Sequence, residues 1–187
     1  KRLIFDEFFW LSFAMQLLRG ERQKEPKGAV IEVSHATKQR LKHILPFTLT
    51  GAQKKVIGEI FADLKSDTPM NRLIQGDVGS GKTIVAFLAI FAGMENGYQA
   101  AFMAPTEILA EQHLRNAKKI FEGTGYRVEI LIGSIKAVEK RKIRAGLANG
   151  EINLIIGTHE FAGIRRLGYA NVQPIAKQVL DLFDAGD

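Results

Sequence analysis

Gly76-Asp77-Val78-Gly79-Ser80-Gly81-Lys82-Thr83 fits the pattern G-x-x-x-x-G-K-[ST] of a phosphate-binding loop. Its flanks suit that role. The apolar stretch Asn71-Arg72-Leu73-Ile74-Gln75 predicts a strand leading in, and the run from Ile84 to Met94 predicts a helix leading out. Glycines let the backbone wrap a polyphosphate and turn its N–H groups inward. The start of the following helix adds partial positive charge. On this reading all eight residues line a nucleotide, Lys82 reaches the β- and γ-phosphates, and Thr83 holds Mg²⁺ through its hydroxyl. ATP and Mg²⁺ are the expected cofactors. The competing explanation is a glycine-rich turn with a chance Lys-Thr, and the flanking pattern weighs against it.

Outward from the loop, predicted strands and helices alternate. A helix is expected over Thr37–Leu45, stopped by Pro46, and another over Gly51–Lys65. After the loop come a helix at 82–95, strand Ala100–Ala104, helix Thr106–Phe121, strand Arg127–Ile132, helix Lys136–Leu147 and strand Ile152–Ile156. Asn96-Gly97, Gly123 to Gly125 and Asn149-Gly150 punctuate them. Such alternation implies βαβ units with right-handed crossovers, hence an α/β domain: a doubly wound parallel sheet between helix layers.

The first 20 residues read as an amphipathic helix rich in aromatics, followed by a charged, Pro- and Gly-broken linker to residue 30. So much aromatic surface needs a cover, from this chain or another. The expected domains are therefore 1–30 as helix and linker, 31–160 as the α/β lobe, and 161–187 as a tail.

Lys and Arg outnumber Asp and Glu by 26 to 20, giving a net charge of +6, which suits a polyanionic partner. With no cysteine, disulfides and thiolate chemistry are excluded. The apolar runs are too short to span a bilayer, and no signal-peptide pattern is complete, so the expected location is cytoplasmic, without a membrane partner. A first residue of Lys1 rather than Met fits a piece of a longer protein.

Two further stretches carry chemistry. Thr50 is a natural N-cap, which puts Gln53 in the first turn of its helix. One amide there can both give and accept a hydrogen bond at an adenine edge. A capped helix with a surface Gln is the plainer account, and proximity to the phosphate loop favours the nucleotide. Downstream, Pro105-Thr106-Glu107 and Gly157-Thr158-His159 fall where strands end. Ligands of open α/β sheets bind along that edge, and a helix capped by Thr106 offers N–H groups to a DNA phosphate.

"LPFTLTGAQ", "GDVGSGKT", "APTEILAEQH" and "IIGTH", in that order, resemble the Q, I, Ia and Ic motifs of a superfamily 2 helicase motor. The wording is most similar to the RecG-type ATP-dependent branched-DNA helicases, over roughly residues 1–161, and "RLIFDEFFWLSFAMQLLR" resembles the helix that joins their wedge domain to the motor. The resemblance implies a RecA-like first motor lobe. Phe47 and Gln53 would lie at the adenine, and Gly79, Gly81, Lys82 and Thr83 would hold phosphates and metal. Pro105, Thr106, Glu107, Gly157, Thr158 and His159 would follow the DNA. It also implies branched or duplex DNA as partner, in fork regression and junction migration during recombination and repair.

One departure matters. The pattern should continue past "GTH" to a strand ending in D-E-x-H, which holds metal and activates water. The residues from Glu160 onward contain no such acidic strand end, and the tail from Phe161 has a faint similarity to a segment of the ATP synthase gamma subunit. A second motor lobe with its arginine finger and a wedge domain are also absent from the sequence. Phosphoryl transfer needs metal, positioned water and a charge-stabilising Arg together. The expectation is a chain that binds nucleotide but turns it over poorly, if at all. The alternatives are a non-catalytic nucleotide- or nucleic-acid-binding module, and a different phosphate-loop enzyme, disfavoured because neither a kinase-like lid nor an L-S-G-G-Q signature is present.

Overall fold

A computed structural model describes residues 30–70 and 72–158, together with Phe9, Trp10, Ser12, Phe13 and Gln16. These last five are helical, as expected there, and the rings of Phe9, Trp10 and Phe13 touch one another while remaining exposed. The linker to residue 29, Asn71, His159 and the tail lie outside the described residues.

The sheet is built from three parallel strands in the order β1-β3-β2: β1 (Ala100–Met103), β2 (Val128–Leu131) and β3 (Leu154–Gly157). Five helices accompany it: α1 (His35–Ile44), α2 (Gly51–Lys65), α3 (Lys82–Glu95), α4 (Glu107–Ile120) and α5 (Ala137–Ala148). Each crossover between strands carries a helix, as parallel pairing demands.

Central β3 shows why the arrangement has three layers. All four of its residues are buried, and alternate side chains enter different clusters. Leu154 and Ile156 join Phe87, Phe91 and Phe102 in the large core under α3 and α4. Ile155 joins Leu131, Ile143, Leu147 and Ile152 under α5 on the opposite face. A strand covered on both sides reads as a continuous apolar run, as Leu154-Ile155-Ile156 does.

Helix α3 is apolar around its whole circumference, with every residue from Val85 to Met94 buried. It lies between β1 and the helices α1 and α2. Phe87 packs on Phe102 and Phe121 at 5.4 and 5.9 Å between ring centroids. Buried His113 stacks edge-on against Phe102 at 4.9 Å, and burial lowers its pKa.

Polar anchors hold the layers in register. Gln99 is buried, and its amide donates to the carbonyls of Leu147 and Ile152, closing α5 onto the start of β3. At the rear of α3, Glu95 accepts from Tyr126 Oη at 2.5 Å and from Arg40 at 2.9 Å, tying α1 to the strand layer. Burial, then the Glu95 carboxylate, pushes the Tyr126 phenol up to about 12.

Helix starts follow sequence chemistry. Thr50 and Thr106 cap α2 and α4 as expected, and Ser34 caps α1, which starts two residues before the expected Thr37. Each such cap contributes about 1 kcal/mol. The expected strand at 71–75 is a correction: Arg72–Gln75 join no ladder among the described residues. They keep a strand's alternation, with Arg72 half-buried, Leu73 exposed, Ile74 buried and Gln75 exposed. A strand exists by pairing, and the three described strands pair only with one another.

Candidate nucleotide-binding site

The loop from Gly76 to Gly81 turns on backbone that favours glycine. Gly79 and Gly81 have φ of 80° and 86°, a left-handed region that other residues enter at a cost. Two close approaches add a second reason for glycine. A Cβ on Gly76 would come within 2.8 Å of Ser80 Oγ, and one on Gly81 would overlap the Gln53 amide nitrogen. Ser80 N donates to Asp77 O at 3.1 Å, closing the turn, while Val78 at its crown is fully exposed.

Lys82 opens α3, and its ammonium folds back to donate to the carbonyls of Gly76 at 2.6 Å and Asp77 at 2.9 Å. No side chain caps this helix. Its first-turn N–H groups therefore face the loop with the positive end of the helix dipole behind them. Thr83, half-buried, follows in the same turn. Left-handed glycines, an uncapped helix start and a cation over the loop together form an anion cradle. Among the described residues no group of three or more His, Cys, Asp or Glu is placed to hold a metal.

Helix α2 grips this loop. Gln53 Oε1 accepts from Thr50 N at 2.9 Å, completing a reciprocal capping box, while Nε2 donates to Ser80 O at 2.9 Å. Both ends of the expected adenine-reading amide are thus engaged within the protein. Phe47, before α2, is half exposed. Farther along α2, Asp63 and Glu59 each accept from Arg72 at 2.7 Å.

The second candidate region lies along the strands' C-terminal edge. Register pairs Met103 and Leu131 with Gly157, so the chain leaving all three strands emerges together. Ala104 N donates to Gly157 O at 2.7 Å. Pro105 and Thr106 are exposed, whereas Gly157 and Thr158 are buried. The Glu107 carboxylate is occupied by Ser134 N at 3.1 Å, and hydrogen bonding by Ser134 lowers its pKa. Lys140 donates to Gly133 O from the other side, so the turn after β2 is held at the same edge.

Sequence reasoning missed three of these features. The Gln53–Ser80 bond, the Arg72 fork and the Glu107–Ser134 tie join residues far apart in the chain. Only Glu59 and Asp63 left a local trace: two carboxylates four apart on one helix face repel unless a cation sits between them.

The chain was compared with known proteins. It is 48% identical over 159 residues to the ATP-dependent DNA helicase RecG of Streptococcus pneumoniae, covering 85% of this chain and 23% of that protein. To the RecG of Thermotoga maritima it is 47% identical, covering 85% of this chain and 20% of the relative. The chain thus spans under a quarter of the length of these curated relatives. Among solved structures, a RecG bound to a three-way DNA junction superposes with a TM-score of 0.77 at 45% identity, over 85% of this chain and 22% of that one. A hypothetical ATP-dependent RNA helicase of Sulfolobus tokodaii shares the fold at 17% identity and a TM-score of 0.53, over 73% of this chain and 38% of that one. The family model for DEAD/DEAH box helicases matches residues 50–177, from the cap of α2 past the end of β3 and beyond the lobe boundary expected at 160. With a RecA-type parallel sheet and a glycine-turned loop at the start of α3, the chain belongs to the DEAD/DEAH box helicase family.

Proposed function

We propose that this chain is the ATP-binding motor lobe of a longer DNA helicase that remodels branched DNA, regressing forks and moving junctions in recombination and repair. The observation that carries this reading is the cradle: left-handed Gly79 and Gly81, Lys82 folded over the loop, and α3 opening without a side-chain cap. A polyphosphate would take the Lys82 ammonium from the carbonyls of Gly76 and Asp77, and the first-turn N–H groups would meet its oxygens. Mg²⁺, when bound, would neutralise phosphate charge, and the Thr83 hydroxyl would be its ligand from this loop. Gln53 would exchange its bond to Ser80 for the adenine edge, with Phe47 beside the base.

DNA would run along the strand ends, past Pro105 and Thr106, over a floor of Gly157 and Thr158, and towards His159. Glu107 serves that track by holding Ser134, since a carboxylate set against a phosphate would be repelled. Residues 31–160 form the lobe, with 1–30 as its entering helix and linker, and 161–187 as a tail. The second lobe, its arginine finger and the wedge belong to the rest of such a protein. No helix among the described residues is long and apolar enough to cross a membrane, which fits work on cytoplasmic DNA.

Forked DNA tests the partner. Binding should be indifferent to base sequence and weaken roughly tenfold or more as salt rises from about 50 to about 200 mM, because phosphate contacts release counterions. A complex insensitive to salt would contradict the track. The second reading, a nucleotide-binding module without turnover, is favoured by the lack of any adjacent Asp-Glu pair from His159 to Asp187. DNA-stimulated ATP hydrolysis by this chain would exclude it.

A further inference from the structure

We propose that Arg72 is a positioning residue for the phosphate loop, fastening the loop's entry to the same helix whose Gln53 fastens its exit. The inference rests on the nucleotide reading above and adds to it how the cradle keeps its shape. Arg72 Nε donates to Asp63 Oδ2 and its terminal nitrogen to Glu59 Oε2, both at 2.7 Å. The hydrogen bond to Asp63 contributes most to raising the Arg72 pKa, and a guanidinium is charged at neutral pH in any case.

Glu59 and Asp63 lie one turn apart on α2 and would repel each other without a cation between them. A guanidinium fork satisfies both at once and fixes direction as well as charge, which an ammonium cannot do. The three side chains are about one-third to two-fifths exposed, at 31%, 43% and 34%. Ion pairs of that exposure add little to global stability. Their effect is therefore geometric.

Geometry is what the entry segment needs. Arg72–Gln75 join no ladder among the described residues, so the anchors described for this segment are its side chains. Buried Ile74 anchors the segment to the core, and Arg72, two residues earlier on the same side of the alternation, fixes it to α2. At the other end Gln53 Nε2 holds Ser80 O. One rigid helix thus grips both sides of the cradle, and a displacement of about 1 Å there would misplace the N–H groups that receive phosphate.

The test is fluorescent-ADP binding by the whole chain, with melting temperature and hydrogen exchange measured on the same samples. Arg72→Met should weaken ADP binding roughly tenfold, and Arg72→Lys, keeping the charge without the fork, should recover part of that loss. The double variant Glu59→Gln, Asp63→Asn should reproduce the weakening without touching Arg72. In Arg72→Met the amides of Gly76–Thr83 should exchange faster before nucleotide is added, while those of α4 stay unchanged. The inference is overturned if Arg72→Met binds ADP within about twofold of the unchanged chain while Lys82→Ala does not bind. It is also overturned if Lys is no better than Met and affinity only follows melting temperature. Absence of binding by the unchanged chain would remove the nucleotide reading itself, and this inference with it.

Discussion

Lys82→Ala should abolish measurable nucleotide binding while leaving the domain folded. The two effects separate because this side chain touches little but the loop. Its ammonium bonds the carbonyls of Gly76 and Asp77, and its backbone begins α3. Alanine is a better helix former, which offsets part of the loss of two solvent-exposed hydrogen bonds to the loop, so stability should move by about 1 kcal/mol or less. Hydrogen bonds to charged groups contribute about 1.5–3 kcal/mol each, so removing a cation that meets two phosphates should cost on the order of a hundredfold in affinity or more. Titration with fluorescent ADP beside a circular-dichroism melt reads both quantities. An unchanged affinity would end the assignment of this loop to phosphate.

The largest effect on stability should come from Phe87→Ala. Phe87 is fully buried, on a helix with no exposed face from Val85 to Met94. Its ring contacts Phe102 of β1, Phe121 at the end of α4 and His113 of α4, so it joins three elements of one core. Truncation leaves a cavity those rigid rings cannot fill, costing about 3–5 kcal/mol. Against a typical domain stability of about 5–15 kcal/mol, that is a large share of the total. Chemical denaturation should show a midpoint shift of that size with little change in slope. A loss under about 1 kcal/mol would mean that α3 is not clamped between the helices and the sheet as described.

Alternation along the chain was enough to foresee the parallel sheet. Leu154-Ile155-Ile156 is apolar throughout because both faces are covered, and Asn149-Gly150 marks the turn before it. Caps were equally legible, since Thr50 and Thr106 act on residues three positions ahead. The loop was legible for the same reason: its glycines, lysine and threonine are consecutive.

What stayed hidden depends on partners distant in sequence. A strand was expected at Asn71–Gln75 from its apolar pattern, but pattern cannot supply a neighbouring strand, and Arg72–Gln75 have none among the described residues. Gln53 was read for its free amide, whereas folding brings Ser80 O to its Nε2. Glu107 was read beside Thr106 as part of one exposed edge, yet its carboxylate is held by Ser134, 27 residues onward. Thr158 has the composition of an edge residue, yet it lies buried at 3% exposure just past the end of central β3. Local chemistry therefore named the candidate residues, and the tertiary structure decided which of their polar groups are already engaged.

The most direct test of the central claim is an equilibrium titration of this chain with fluorescent ADP in the presence of Mg²⁺, followed by displacement with unlabelled ATP. The account predicts saturable binding at one site, reversed by ATP and absent in Lys82→Ala. No saturable binding by a chain that circular dichroism shows to be folded would contradict it.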